Sequence, residues 1–128
     1  MSSPPISCHV LDTTTGRPAT AVAVTLTLIK PLGPSTPFTA TTDQDGRVRA
    51  WNNEPGPPIE EVIASSSAQA SAAPMVWSLK FDTGSYFGIG QTFFPEVEVK
   101  ILVAGGAHQH YHVPLLLGPY SYTTYRGS

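Results

Sequence analysis

Short segments of alternating apolar and polar residues, broken by glycine and proline, constrain this chain to an all-β fold. Side chains on a strand point to opposite faces in turn, so alternation marks a strand with one face in the core. The clearest segment is 97–103, where Val97 and Val99 alternate with Glu98 and Lys100. Glycine and proline account for 11 and 13 of the 128 residues and fall between such segments, as turns require. The pattern predicts a β-sandwich of about eight strands.

The predicted strands follow one another with few other elements between them. They cover 6–11, 22–28, 38–42, 48–51, 75–81, 97–103, 108–113 and 120–125. We expect Gly105-Gly106 to form a hairpin turn, so that 108–113 returns antiparallel to 97–103. One short helix is expected within 85–91. Residues 63–74, rich in alanine and serine, are predicted to form a mobile surface loop with room for a helical turn.

The charge content separates this chain from proteins that bind polyanions. Charged residues make up 12% of the chain, against about 25% in an ordinary domain, and the formal net charge is -2. This balance gives no basic surface for nucleic acid or for an anionic membrane. So few charges also indicate that part of the surface is covered in an oligomer. The length suits a single domain over 1–128.

The single cysteine, Cys8, excludes an internal disulfide and a cysteine-rich zinc site. A lone thiol fits a reducing compartment. The first residues show no basic region followed by an apolar stretch, and no apolar run is long enough to span a bilayer. We therefore expect an intracellular protein, cytoplasmic or peroxisomal, without a visible targeting signal.

Three histidines, His108, His110 and His112, recur with a spacing of two and would share one face of a strand. Such a row can bind zinc through imidazole nitrogens, but residues 104–119 contain no aspartate, glutamate or cysteine to complete the ligand set. A polar strand end is the simpler interpretation, so no metal site is predicted. His9, inside an apolar strand, would by itself be a buried histidine bonded to the backbone.

Six blocks of the sequence follow one another in a specific order: CHVLD (8–12), GRPA (16–19), TDQDGR (42–47), FDTGSYF (81–87), FFPEV (93–97) and HYHVPLLL (110–117). In order, these blocks resemble those of the transthyretin-like 5-hydroxyisourate hydrolases. The most specific match is YRGS at 125–128, the ending that marks the enzymes of this family. Hormone-carrying transthyretins of the same family replace the residues that match His9, Arg47 and His112 and lose this ending, whereas this chain keeps all of them. The resemblance therefore favours the enzymes over the carriers.

The resemblance implies an activity and a set of site residues. The implied activity is hydrolysis of 5-hydroxyisourate, the product of urate oxidation, by attack of water at an acyl C–N bond. His9 and His112 would activate water and transfer protons, and Arg47 would stabilise the oxyanion. The substrate would be ordered by the C-terminal residues Tyr125, Arg126, Gly127 and Ser128. No metal or organic cofactor is implied.

The resemblance also implies a fold and an assembly. The fold would be a transthyretin-like Greek-key β-sandwich, and four copies would form a homotetramer with the sites in the channel where dimers meet. The alternative is a carrier of the same fold that binds a small aromatic ligand in that channel without turnover.

Overall fold

Two four-stranded sheets face each other in the computed structural model, which describes residues 4–31, 34, 36–53, 56–69, 74–104 and 109–128. One sheet contains, in spatial order, β2 (Arg17–Pro18), β1 (Ile6–Asp12), β7 (Tyr111–Leu117) and β8 (Tyr122–Thr124). The other contains β4 (Phe38–Thr41), β3 (Ala23–Lys30), β5 (Met75–Phe81) and β6 (Val97–Val103). Two helices, α1 (Ile59–Gln69) and α2 (Thr83–Phe87), complete the elements of the described residues. The predicted all-β sandwich is confirmed.

The core lies between the two sheets and is filled by the inward-facing residue of each alternating pair. Its largest fully buried side chains include Trp77, Phe38 and Phe81, and the rings of Phe38 and Trp77 pack with centroids 6.1 Å apart. Each large apolar side chain removed from water stabilises the fold by roughly 1.5–3 kcal/mol. In β6, Val97 and Val103 are buried while the alternate residues are exposed, as the sequence pattern predicts.

The strand that carries His112 pairs differently from the prediction. β7 lies parallel to β1, whereas β6 belongs to the other sheet and pairs with β5. The predicted antiparallel pairing of 108–113 with 97–103 is therefore wrong, and Gly105-Gly106 lies outside the described residues. β7 also continues through Pro114. The Pro114 carbonyl accepts a hydrogen bond from the hydroxyl of Thr124 in β8. In a strand the nitrogen of a residue points to the same side as its carbonyl, so the nitrogen of Pro114 faces away from β1. The missing N–H therefore removes no hydrogen bond to β1.

Helix α1 replaces part of the predicted Ala/Ser-rich loop. Residues 63–69 form its second half, so the loop prediction is wrong there, while 70–73 lie outside the described residues. The helix begins where the Pro58 carbonyl accepts from the N–H of Val62, 3.2 Å away. Acidic residues in the first turn favour the positive end of the helix dipole, and alanine is the best helix former. No helix of the described residues is long and apolar enough to cross a membrane.

Smaller departures from the prediction occur at three turns. The short helix predicted within 85–91 is observed earlier, as α2, because the Asp82 side chain accepts from the backbone N–H of Ser85 and caps it. Residues 48–51 do not form a strand, and the bridges on either side of them are made by Arg47 and Asn52. The two-residue strand β2 lies within 13–18, a segment whose sequence predicts a turn.

Candidate active site

The outer face of the sheet that contains β1 and β7 carries polar side chains close together. Alternation in β1 turns Cys8 into the core, so Ser7 and His9 belong to the opposite face. The parallel register pairs Ser7 with His112 and His9 with Pro114. The imidazole centroids of His9 and His112 are 6.4 Å apart. Two strands distant in sequence thus bring the two predicted site histidines together.

Arg47 lies beside His9 because the turn before it packs closely against β1. The backbone N–H of Val10 donates to the Gly46 carbonyl at 2.8 Å. A Cβ at Gly46 would collide with the carbonyl oxygen of Val10, and the φ of Gly46 is 75°, so glycine is required on both counts. Directly after this contact, Arg47 forms a backbone bridge with His9. The third predicted site residue therefore joins the two histidines.

The same turn gives its two arginines different surroundings. The Asp43 carboxylate accepts from Arg49 Nε at 2.7 Å and from the backbone N–H of Arg47 at 3.0 Å, and these bonds lower its pKa to about 2. Arg49 also reaches Asp45 at 3.0 Å. In the part of the chain that the structure describes, the ion pairs of this turn all involve Arg49, and the Arg47 guanidinium has no carboxylate partner. An arginine placed in this way is suited to bind an anionic oxygen.

Both site histidines are surrounded by groups that disfavour their charged form. Partial burial and the Arg47 cation lower the pKa of His9, and they outweigh the opposite effects of Asp45 and Asp43. Partial burial, Arg47, His110 and His9 lower the pKa of His112. Because histidine titrates just below neutrality even without such effects, both rings are neutral near pH 7 and able to accept a proton.

A serine that the sequence prediction missed connects two of the histidines. The Ser7 hydroxyl lies 2.8 Å from Nδ1 of His112 and 3.0 Å from Nε2 of His110. The rings of His110 and His112 are stacked, with centroids 6.3 Å apart and planes inclined by 16°. The available signal was the position of Ser7, two residues before His9 and therefore on the same face of β1.

The C-terminal residues lie against the ring of His112. The Gly127 N–H donates to the His112 carbonyl at 2.9 Å, and a Cβ at Gly127 would lie 2.6 Å from Cδ2 of that ring. The Arg126 guanidinium lies 5.0 Å from the ring centroid of Tyr111, in cation–π geometry. Tyr125 and Ser128 are exposed on either side of these contacts. The predicted substrate-ordering segment is thus adjacent to one of the two histidines.

The described residues contain no group of three histidine, cysteine, aspartate or glutamate side chains that could hold a metal ion. His108, the first member of the predicted histidine row, lies outside the described residues. That the protein acts without a metal stays a prediction.

Comparisons with known proteins all point to one protein family. The model of the HIUase/Transthyretin family matches residues 6–127. The chain is 40% identical over 130 residues to the probable 5-hydroxyisourate hydrolase of Schizosaccharomyces pombe, covering 98% of this chain and 92% of that protein. It is 37% identical over 132 residues to the 5-hydroxyisourate hydrolase of Mus musculus, covering 98% and 97%. Among solved structures, sea bream transthyretin in complex with thyroxine has a TM-score of 0.71 at 27% identity, covering 96% and 94%.

Proposed function

The chain belongs to the HIUase/Transthyretin family, and we propose that it carries out the family's hydrolysis with His9, Arg47 and His112 as its catalytic residues. The chain is a hydrolase that opens the ring of 5-hydroxyisourate in urate degradation. The observation that carries the residue assignment is that His9 and His112 meet on one sheet face beside Arg47, whose guanidinium has no carboxylate partner among the described residues.

The proposed chemistry needs one base, one acid and one cation. A neutral histidine takes a proton from water as its oxygen bonds to the acyl carbon of the ring. The planar, permanently charged guanidinium of Arg47 stabilises the negative oxygen that develops on that carbon. When the C–N bond breaks, a protonated histidine returns the proton to the leaving nitrogen. His9 and His112 share these two proton transfers.

The C-terminal residues complete the proposed site. Gly127 is bonded to the backbone of His112, so 125–128 can hold substrate against that ring. Ser128 adds a hydroxyl and a terminal carboxylate, both able to bond the polar edge of a small heterocycle. Excluding water around the reacting atoms strengthens each of these interactions.

We expect the purified protein to accelerate the decay of 5-hydroxyisourate generated in solution by urate oxidase. Ultraviolet absorbance of the intermediate follows the reaction, and the spontaneous decay measured without the protein is subtracted. Since a carrier of the same fold would bind the compound without consuming it, decay at the spontaneous rate would favour the carrier alternative.

We also propose that the working form is a homotetramer. Phe93 and Tyr120 expose 73% and 75% of their surface on the isolated chain, and the bond from the Phe93 N–H to the Pro119 carbonyl keeps them close together. Neighbouring exposed aromatic side chains are typical of surfaces that another subunit covers. Sedimentation equilibrium should give a mass four times the 13.6 kDa of the chain. A monomeric mass at micromolar concentration would rule this assembly out.

A location inside the cell, cytoplasmic or peroxisomal, fits the chemistry of the single cysteine. Cys8 is free and fully buried in the core, and burial raises the pKa of its thiol to about 12. Such a thiol is inert, and the fold needs no disulfide, so a reducing compartment costs this protein nothing.

A further inference from the structure

We propose that Ser7 and His110 form a proton relay that connects His112 to solvent, a role that rests on the proposed function of His112. The geometry that points to it is the pair of short contacts from one hydroxyl to two imidazoles, 2.8 Å to His112 Nδ1 and 3.0 Å to His110 Nε2. Ser7 is 7% exposed, so its hydroxyl exchanges these bonds with little competition from water. His110 is exposed and forms the solvent end of the chain.

The hydroxyl fixes how the two rings can be protonated. A serine hydroxyl has one hydrogen, so it donates to one imidazole and accepts from the other. Nδ1 of His112 is the atom in contact with Ser7, so Nε2 is the nitrogen left to act as a base. For that, Nδ1 must carry the hydrogen and donate it to Ser7, whose own hydrogen then points to Nε2 of His110.

The relay moves one proton and leaves its inner members unchanged in charge. Nε2 of His112 takes a proton from the attacking water while its Nδ1 proton passes to Ser7. The original hydroxyl proton of Ser7 passes to Nε2 of His110, which becomes cationic. His112 and Ser7 each gain one proton and lose one. In the reverse sequence His110 returns its proton to Ser7 and Ser7 returns one to Nδ1 of His112, while Nε2 of His112 releases the proton it took from water to the leaving nitrogen.

The relay avoids a positive charge on His112 beside the Arg47 guanidinium. Partial burial and the nearby Arg47 guanidinium both disfavour a cationic His112 and lower its pKa. Passing the positive charge to exposed His110 brings it into contact with water, where charge is better solvated. Ser7 and His110 touch no substrate in this scheme, so they are positioning and relay residues for the catalytic ring.

Ser7→Ala should lower kcat by roughly 10- to 100-fold, the scale seen when a partner that orients a functional histidine is removed. Ser7→Thr keeps the hydroxyl and should recover most of the rate. His110→Ala should lower kcat about as much as Ser7→Ala. The double variant should lose no more than either single variant, because both substitutions interrupt the same proton relay. Additive losses would overturn the relay.

His110→Gln separates proton transfer from orientation. The amide can hold the hydrogen bond of Ser7 but cannot accept and release a proton. We expect kcat of the His110→Gln variant to stay as low as that of His110→Ala, and a wild-type kcat would overturn the relay. We also expect a difference when kcat is plotted against the deuterium fraction of the solvent. The plot should be curved for the wild type, because several protons move in one step, and linear for Ser7→Ala.

Nitrogen NMR of the imidazoles tests the hydrogen-bond chain without any turnover. His112 should carry its hydrogen on Nδ1 in the wild type and change its tautomer in Ser7→Ala, and an unchanged tautomer would overturn the assignment. If the wild-type protein failed to accelerate 5-hydroxyisourate decay, that assay by itself would refute the proposed function. Normal wild-type turnover with fully active Ser7→Ala and His110→Ala variants would overturn only the relay.

Discussion

His9→Ala and His112→Ala should each lower kcat for 5-hydroxyisourate by about 100-fold or more, the scale of a lost general acid or base. Each variant keeps the Arg47 guanidinium and one imidazole, so oxyanion stabilisation remains while one proton transfer loses its group. Both side chains lie on the outer face of the sheet, away from the core that holds the fold together. Ultraviolet absorbance gives kcat, and circular dichroism verifies that the sheets are intact.

His108→Ala is the matched control for the two histidine variants. It removes the same chemical group from the same part of the sequence, but the family motif that begins at His110 does not include it. Its kcat should stay close to that of the wild type. A loss as large as that of His112→Ala would show that the histidine row has been assigned in the wrong register.

Part of the site could be predicted because its residues lie in short local patterns. Alternation in β1 places His9 opposite Cys8. The resemblance to a family then connected His9 with Arg47 and His112. Each of these inferences needed only neighbouring residues or a match of motifs.

The rest depended on pairing between distant strands, which local patterns do not determine. Gly105-Gly106 favours a hairpin by its composition, yet β7 pairs with β1 and not with β6. The parallel register of β1 and β7 alone brings Ser7 to His112. The position of Ser7 shows that it shares a face with His9, but not that a second histidine lies within hydrogen-bond distance. This is why the sequence predicted the histidines and missed the hydroxyl between them.

Helix α1 was hidden by its composition rather than by long-range pairing. Its serines and alanines resemble a low-complexity loop, although alanine favours a helix and serine only mildly opposes one. Ile59, Val62 and Ile63 have the spacing of one helix face and pack on the core. Burial of that face, which depends on the finished sandwich, decides the conformation.

The second large effect is expected at the C-terminus, where deletion of residues 125–128 should lower kcat by on the order of 100-fold, as misplacement at a reacting centre does. The Gly127 N–H bonds the backbone of His112, and Arg126 packs on Tyr111, so the deletion removes one contact to His112 and one to its neighbour in β7. Fixing terminal residues costs roughly 1–2 kcal/mol of backbone entropy each, and these contacts offset that cost.

A C-terminal tag tests whether residues 125–128 take part in catalysis or are an ordinary exposed terminus. Because the Gly127 backbone lies directly on the ring of His112, added residues must pass through or beside the proposed substrate position. We expect a short C-terminal extension to reduce kcat nearly as much as the deletion, with the circular dichroism of the sheets unchanged. The same tag at the N-terminus is the matched control and should leave kcat unaltered, since β1 begins only at Ile6. Full activity of the C-terminally tagged protein would show that 125–128 takes no part in catalysis and that the substrate is held elsewhere.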